Sequence, residues 1–195
     1  MGLKILMCTD KNGLYGIHDI MTGKLTLPWV YMNNSSLCNV DDPTKLNIYK
    51  EMTKIDMKIF KQLTSKPVNG KKPELIMGRL THESIGGVLP GRKHIVITSY
   101  DFTNTKNIIF YKSIKKAIRD HPDAWVIGGY SLIKEILNEH PSYIGSIRIN
   151  QLDFTMTFTE RFNTSYIPLD ELSNLIRSKT SLDVDKCFFS ISRRL

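Results

Sequence analysis

A carboxylate and an aromatic ring are spaced so that one face of a helix would carry both. Asp56 and Phe60 are four positions apart in the segment D-M-K-I-F-K-Q-L-T, and Leu63 extends the same face. Residues at this spacing are neighbours on a helix. Burying a carboxylate on an apolar face is costly, so Asp56 is a candidate for handling a proton. The alternative is a surface aspartate near a helix start, where a negative charge is favourable.

Two consecutive glycines are candidates for binding a phosphate group. Gly128 and Gly129 follow an apolar run, and a helical pattern begins directly after them. Glycine lets the backbone approach a ligand closely, and a helix N-terminus offers free N–H groups and a positive dipole end. A pyrophosphate would fit these features. The alternative interpretation is a tight turn from strand to helix that binds nothing.

Two arginines follow predicted strand and turn ends. Arg79 comes directly after Gly78, and Arg92 comes after a Leu-Pro-Gly turn. A guanidinium group is always charged and binds phosphate or carboxylate through two parallel hydrogen bonds. Each arginine is therefore a candidate for holding an anionic part of a ligand, or else a surface charge. Arg79 could also pair with Glu83, four positions further on.

The elements that would position these residues alternate along the chain. Apolar, β-rich runs predict strands at residues 3–8, 74–77, 94–98, 107–111, 124–127, 143–152 and 186–193. Helical patterns occur at residues 57–64, 80–85, 113–119, 130–139 and 169–177. This alternation predicts an α/β fold with a largely parallel sheet flanked by helices. The final run, residues 187–192, is expected to close the sheet as an antiparallel edge strand.

Two stretches are predicted to be loops. Residues 10–28 contain three glycines and a proline, which indicates a long mobile loop. Residues 30–42 are polar and rich in Asn and Ser, so we expect a surface loop there. Asp42 and Pro43 then have the pattern of a helix start. Apolar residues recur at helical spacing after them, so this helix is expected to run into the one that carries Asp56.

The composition restricts the class of protein. The chain has 195 residues, 41% of them hydrophobic and 24% charged, which is ordinary for a single globular domain. No apolar run is long enough to span a membrane, and the first residues lack the pattern of a signal peptide. Three cysteines fit no metal or redox spacing, so reduced thiols in a cytoplasmic protein without a metal site are expected. The net charge of +8 is scattered, which favours a solvated surface over nucleic-acid binding.

Several motifs are specific when they are taken in order. They are L-P-W at 27–29, D-x-x-x-F-x-x-x-T at 56–64, M-G-R-x-T-x-E-S-I at 77–85, L-P-G-R-K at 89–93 and V-I-G-G at 126–129. This order resembles the dihydrofolate reductase family over nearly the whole chain, apart from about residues 30–55. The resemblance implies a mostly parallel, eight-stranded central sheet flanked by helices. It also implies NADPH as the hydride donor and 7,8-dihydrofolate as the substrate, and a monomer is expected.

The resemblance assigns roles on the substrate side. Asp56 matches the family's acidic residue, which hydrogen-bonds the pterin ring and promotes protonation of N5, and Trp29 belongs to the same catalytic group. Arg92 matches the arginine that binds the α-carboxylate of the glutamate in folate. The other substrate-binding residues implied are Leu6, Cys8, Met57, Phe60, Ile85, Leu89, Ile127 and Asn150.

The resemblance also assigns a cofactor site. Gly128 and Gly129 match the turn that binds the pyrophosphate, and the peptide between them is cis in the family. Arg79, Thr98 and Ser99 are expected to select NADPH over NADH by binding the phosphate on the adenosine ribose. The other cofactor-binding residues implied are Cys8, Tyr15, Gly16, Gly78, Leu80, Thr81, Ser84, Ile97, Tyr130, Ser131 and Leu132.

The chain departs from the family pattern between Trp29 and Asp56. These residues are 27 positions apart, whereas the family usually has five or six, so an insertion is inferred within residues 30–55. Asp41 and Asp42 are rival acids, although neither has a phenylalanine four positions later. Because long surface loops cost little stability, shortening the polar part of the insertion is expected to leave the Michaelis constant for NADPH nearly unchanged.

Two substitutions leave other functions open. Ile133 stands where the family usually has a tyrosine near the nicotinamide, and Asn150 stands where a threonine usually bonds Asp56. One alternative is therefore a catalytically inactive nucleotide-binding or structural module on the same fold. Another is a pyrimidine reductase of the riboflavin-pathway type, which would keep the Gly-Gly turn but would not need Asp56, Phe60 or Arg92.

Overall fold

The structure is a computed structural model that describes residues 2–67 and 70–191. These residues form twelve strands: β1 (Leu3–Thr9), β2 (Leu14–Asp19), β3 (Lys24–Thr26), β4 (Cys38–Val40), β5 (Glu74–Gly78), β6 (Lys93–Ile97), β7 (Ile108–Tyr111), β8 (Trp125–Val126), β9 (Ile144–Leu152), β10 (Met156–Phe158), β11 (Phe162–Tyr166) and β12 (Phe188–Ile191). They also form five α-helices: α1 (Leu46–Thr64), α2 (Arg79–Ile85), α3 (Ile114–Asp120), α4 (Tyr130–Glu139) and α5 (Leu169–Lys179). Within the described part of the chain, no helix is both long and apolar enough to cross a membrane.

Seven strands form a central sheet in which every neighbouring pair is parallel. Their order across the sheet is β12-β9-β1-β8-β5-β6-β7. Parallel neighbours need crossover connections, and the helices α2, α3, α4 and α5 lie in several of them. The predicted α/β fold with a largely parallel sheet is confirmed. The central sheet contains seven strands within the described residues, rather than the eight expected.

The last strand corrects one prediction. β12 runs parallel to β9, with Phe188 opposite Ile149 and Ile191 opposite Leu152. The expectation of an antiparallel edge was wrong, because the connection from β9 to β12, which contains α5, brings the chain back to the end of the sheet where β9 begins. Ser192 and the later residues assigned to this strand lie outside the described residues.

Residues 10–28 contain two strands rather than only a loop. β2 pairs with β3 and with β11 in an antiparallel three-stranded sheet. Two of the three glycines lie at turns beside these strands, with φ of +89° at Gly13 and +67° at Gly23, where glycine is favoured. A Cβ at Gly13 would collide with the carbonyl oxygen of Ile167, so this close approach also requires glycine.

Residues 30–42 are not a plain surface loop. β4 pairs with β10 in a short antiparallel ladder. Met32 and Cys38 are buried in a cluster with Tyr49 of α1 and Phe154, whose ring centroids are 4.7 Å apart. Two core residues therefore tie this stretch to α1, and the expectation of a polar loop was wrong at these positions.

The alternation of side chains along β1 shows which face of the sheet α1 covers. Leu3, Ile5 and Met7 belong to a core cluster that includes buried residues of α4 and α5. Cys8 packs instead against the cluster that includes residues of α1. Successive side chains of a strand point to opposite faces, so α1 and the α4–α5 pair cover opposite faces of the sheet. The expected continuous helix through Asp56 is confirmed, and it lies over β1 and β9.

Candidate active site

Asp56 is buried where α1 packs over β1 and β9, toward one side of the sheet. Cys8 of β1 and Asn150 of β9 are partners in the strand register, so both lie beneath the helix. The Nδ2 of Asn150 donates to the Oδ1 of Asp56 at 2.7 Å, and the Cys8 thiol also hydrogen-bonds the carboxyl group. The structure thus brings together three residues that the sequence assigned to one site.

The surroundings of Asp56 act on its charge in opposite directions. Burial raises the pKa of the Asp56 carboxyl group, whereas the hydrogen bonds from Asn150 and Cys8 and the charge of Arg148 lower it. Burial and the neighbouring Asp56 also raise the pKa of the Cys8 thiol well above its usual range, which keeps it protonated as a donor. A carboxylate held in this way can favour a positive charge on a bound ligand.

A buried arginine lies against the end of α1. The Thr64 hydroxyl donates to the Phe60 carbonyl oxygen at 2.7 Å and accepts from the Nη1 of Arg92 at 3.0 Å. The Nε of Arg92 donates to the Pro90 carbonyl oxygen at 3.3 Å. None of the ion pairs found among the described residues involves Arg92. This guanidinium group is therefore buried without a carboxylate partner in that part of the chain, which is a costly state for a charge.

The spacing along α1 separates Asp56 from Thr64, the residue that binds Arg92. Asp56, Phe60 and Thr64 are four positions apart in turn, so they share one helix face. Eight residues at 1.5 Å rise each give about 12 Å along the axis. The Phe60 ring lies between, and its centroid is 5.8 Å from the guanidinium carbon of Arg92. The face therefore carries a carboxylate at one end and, at the other, the Thr64 hydroxyl that binds Arg92, with an aromatic ring in between.

An apolar cluster at β5 and β6 contains three of the predicted substrate residues. Ile85, Leu89 and Ile127 pack against buried residues of β5 and β6. Buried His94 orders this region, since its Nε2 accepts from the backbone N–H of Leu89 at 3.2 Å and its Nδ1 lies 3.1 Å from that of His82. Burial lowers the pKa of His94 to about 4, so its ring is neutral at pH 7.

The remaining substrate-side residues differ in exposure. Trp29 lies in the 3-10 helix Pro28–Tyr31 and packs against the cluster that also contacts Cys8. Its indole Nε1 is buried and has no hydrogen-bond partner among the described residues, so it is a free donor. Leu6 is buried in β1, whereas Met57 is about half exposed.

The rival acids have other partners. The Oδ2 of Asp41 accepts from the backbone N–H of Thr155 at 3.1 Å. The Oδ1 of Asp42 accepts from the backbone N–H of Thr44 at 3.0 Å and caps the 3-10 helix before α1. Neither acid shares the cluster formed by Asp56.

The two glycine segments meet at the carboxyl ends of β5 and β8. The N–H of Gly78 donates to the carbonyl oxygen of Gly128 at 2.9 Å, and the peptide between Gly128 and Gly129 is cis. A Cβ at Gly128, where φ is +134°, would lie 3.5 Å from the Oγ1 of Thr81. Gly78 and Gly129 are the residues from which α2 and α4 begin. In open parallel sheets, the crevice outside the carboxyl ends of the strands is where nucleotides bind.

Arg79 already has partners. Its Nη1 lies 2.6 Å from the Oε1 of Glu83, as in the alternative interpretation of the sequence, and its guanidinium carbon lies 5.1 Å from the ring centroid of Tyr100. The Thr98 hydroxyl accepts from the backbone N–H of Tyr100 at 3.2 Å, and Ser99 is exposed. A phosphate bound by Arg79 would have to compete with the Glu83 carboxylate.

The other predicted cofactor residues differ in burial and in their contacts. The rings of Tyr15 and Tyr130 are 6.4 Å apart, and the buried hydroxyl of Tyr130 lacks a hydrogen-bond partner among the described residues. Ile133 is fully buried in the main core cluster. The rest lie as follows: Gly16 buried in β2, Leu80 exposed, Ser84 bonded to the Thr81 carbonyl oxygen, Ile97 half-buried in β6, Ser131 exposed and Leu132 buried.

Comparison with known proteins identifies the family. The family model described as dihydrofolate reductase matches residues 48–169, which is more than half of the chain. The chain belongs to the dihydrofolate reductase family. The matched segment includes Asp56, Arg92 and the Gly128–Gly129 turn.

Individual dihydrofolate reductases are similar over shorter stretches. That of Buchnera aphidicola (subsp. Baizongia pistaciae) is 42% identical over 69 residues, covering 34% of this chain and 42% of the relative. That of Bacillus subtilis is 34% identical over 84 residues, covering 42% and 46%. A bifunctional dihydrofolate reductase-thymidylate synthase of Glycine max is 33% identical over 99 residues, covering 43% and 19%. The matches therefore span less than half of each of these relatives.

Sequence reasoning missed three contributors to the site of this dihydrofolate reductase family member. They are Thr64 as the partner of Arg92, His94 as the acceptor behind Leu89, and Arg148 beside Asn150. Thr64 had a signal, since it continues the four-residue spacing from Asp56. His94 and Arg148 lie only five and two positions from their partners, but no local pattern shows that their side chains turn toward Leu89 and Asn150.

Proposed function

We propose that this chain reduces 7,8-dihydrofolate to 5,6,7,8-tetrahydrofolate with NADPH as the hydride donor. The observation that carries the proposal is the face of α1, with buried Asp56 at one end and Thr64 about 12 Å further along the helix axis. Thr64 accepts a hydrogen bond from Arg92, which has no ion-pair partner among the described residues. Dihydrofolate has at one end a pterin that can be protonated to a cation, and at the other end an anionic glutamate. Its two ends thus complement the two charged residues.

Asp56 would bind the pterin and favour its protonation. Reduction of the N5=C6 bond adds a hydride to C6 and a proton to N5. A carboxylate held by Asn150 and Cys8 in a buried setting stabilises positive charge on the ring, which raises the fraction of substrate protonated at N5. The free indole N–H of Trp29 is a further donor for a substrate or a water molecule in the same cluster.

Arg92 would bind the glutamate end. A guanidinium group forms paired hydrogen bonds with a carboxylate, and a ligand carboxylate would neutralise the buried charge of Arg92. Phe60, Ile85 and Leu89 would contact the apolar middle of the substrate. Such walls exclude water and align the reacting atoms.

The crevice at the carboxyl ends of β5 and β8 would hold NADPH, whose nicotinamide supplies the hydride. The residues fit this group, because Gly78, Gly128 and Gly129 leave the starts of α2 and α4 without side chains, and the φ of +134° at Gly128 is one that favours glycine. The helix starts at Gly78 and Gly129 offer N–H groups for a pyrophosphate. Arg79 and Thr98 would bind the additional phosphate that distinguishes NADPH from NADH.

The direct test is NADPH oxidation by the purified chain, followed by the loss of absorbance of the reduced nicotinamide. We expect oxidation only when 7,8-dihydrofolate is added, with tetrahydrofolate formed in equal amount. The Arg92→Met variant, which we expect to fold and to bind the substrate more weakly, is measured beside it. NADPH binding without any reduction would instead support an inactive nucleotide-binding module. Reduction of an aminopyrimidine substrate but not of dihydrofolate would support the riboflavin-pathway alternative.

A further inference from the structure

Arg148 of β9 lies behind the residues that hold Asp56. It is two positions before Asn150 on the same strand, so both side chains lie on the same face of the sheet. The Nε of Arg148 donates to the Oδ1 of Asn150 at 2.8 Å. Its guanidinium carbon lies 3.9 Å from the ring centroid of Phe189 in the adjacent strand β12. Among the described residues, no ion pair involves Arg148.

The chemistry of these groups fixes the orientation of the Asn150 amide. A guanidinium group only donates hydrogen bonds, so the amide oxygen must face Arg148. The amide NH₂ group must then face Asp56, whose Oδ1 accepts from it at 2.7 Å. Turning the amide over would set donor against donor at Arg148 and oxygen against oxygen at Asp56. Asn150 is fully buried, so water cannot compensate for either mismatch.

We propose that Arg148 is a positioning residue, which acts through Asn150 to hold a hydrogen-bond donor on the Asp56 carboxylate. The ordered sequence is guanidinium, amide and carboxylate, in which each group polarises the next. Phe189 supports the arrangement, because its ring stacks on the planar guanidinium group and restricts its position. The assignment of Asp56 to proton handling rests on the proposed function, but the positioning of its carboxylate does not.

The consequence is a measurable effect on the protonation of Asp56. Cys8 from β1 and Arg148 from β9 are the titratable groups that act on Asp56, and Asn150 is its neutral donor. Losing the orientation of Asn150 would remove one donor from the carboxylate in a buried setting. We expect the pKa of Asp56 to rise by about one unit, a tenfold change in its protonation equilibrium.

Two matched variants separate orientation from charge. Arg148→Gln and Arg148→Met both remove the positive charge. Glutamine places a neutral N–H donor at the same number of bonds from the backbone as the Nε of arginine, whereas methionine has no donor there. If Arg148 acts by orienting Asn150, the Gln variant should retain most of the wild-type behaviour and the Met variant should not.

The measurement is the pKa of Asp56 in the ligand-free protein, followed by carbon NMR of labelled carboxyl groups and assigned with Asp56→Asn. We expect a rise of about one unit in Arg148→Met and a clearly smaller rise in Arg148→Gln. Equal shifts in both variants would mean that Arg148 acts only through its charge and would overturn the proposal. No shift in either would overturn it as well.

The Asn150→Thr variant tests whether the effect of Arg148 on the pKa of Asp56 requires the Asn150 amide. In Asn150→Thr the amide is absent, so Arg148→Met should then change the pKa of Asp56 much less than it does in the wild type. An undiminished shift would contradict the proposal. Because this readout needs no turnover, a chain that fails to reduce dihydrofolate but shows these shifts would refute the proposed function and leave the role of Arg148 standing.

Discussion

Replacing Arg92 by methionine should weaken substrate binding while leaving the folded chain intact. Arg92 is buried, bonds the Thr64 hydroxyl and the Pro90 carbonyl oxygen, and has no ion-pair partner among the described residues. Methionine keeps an unbranched apolar stem like that of arginine and removes the guanidinium group with its charge. The Thr64 hydroxyl retains its bond to the Phe60 carbonyl oxygen in this variant.

The expected magnitudes differ for binding and for stability. A hydrogen bond to a charged group contributes about 1.5–3 kcal/mol, which corresponds to roughly 10- to 150-fold in the dissociation constant. Removing an unpaired buried charge recovers its desolvation cost, so the free energy of unfolding of the ligand-free protein should stay the same or increase. Burial also lowers the pKa of Arg92, which reflects the same cost.

The assay compares two ligands that differ only beyond the pterin. Dissociation constants are measured for 7,8-dihydrofolate and for a 7,8-dihydropterin without the glutamate, and urea denaturation gives the stability. Arg92→Met should raise the dissociation constant for 7,8-dihydrofolate and leave that for the dihydropterin unchanged. For Arg92→Lys, the dissociation constant for 7,8-dihydrofolate should lie between those of the wild type and Arg92→Met, because lysine keeps the charge but not the paired donors. An equal loss for both ligands, or a large loss of stability, would refute the assignment and make Arg92 a structural residue.

Three further predictions concern the cofactor, the insertion and the pH dependence of stability. Arg79→Ala should raise the dissociation constant for NADPH by about tenfold or more and barely change that for NADH. Glu83→Gln should lower the dissociation constant for NADPH by up to about fivefold, because a surface ion pair is worth at most about 1 kcal/mol. Equal effects on both cofactors would contradict this. Met32→Ala or Cys38→Ala should lower the free energy of unfolding, by about 2–5 kcal/mol for the methionine, without changing the dissociation constant for NADPH. An unchanged free energy of unfolding would mean that these two side chains do not contribute to the core. Burial raises the pKa of Asp56 in the folded chain, so its ionised form costs stability above that pKa and costs none below about pH 4, the unfolded value. Asp56→Asn should therefore raise the free energy of unfolding at pH 7, and the gain should shrink as the pH falls through the folded-state pKa; a gain that grows toward acid pH would show that the sign is wrong.

The sequence predicted the elements well wherever a pattern is local. The helix α4 follows directly from its apolar spacing after Gly129, and the continuous helix through Asp56 follows from Asp42-Pro43 and the spacing after it. The pairing of Asp56 with Asn150 was also predictable, because the family resemblance placed both at the pterin.

Other features depend on contacts that no local pattern reveals. Met32 and Cys38 flank the polar run at 33–36, and nothing in their segment predicts which of its apolar residues are buried. The direction of β12 depends on how α5 brings the chain back to the sheet. The role of Arg148 requires knowing that β9 lies between β1 and β12, with Asn150 opposite both Cys8 and Phe189.

The most direct test of the account is the pH dependence of turnover in Asp56→Asn, measured beside the wild type with NADPH and 7,8-dihydrofolate. The substitution keeps the shape of the side chain and removes its charge. General acid–base groups contribute about 10²- to 10⁴-fold, so turnover at pH 7 should fall by a factor in that range. The deficit should become much smaller at acid pH, where the substrate arrives already protonated. Unchanged turnover at pH 7 would contradict the central claim and move the search for the acid to Asp41 or Asp42.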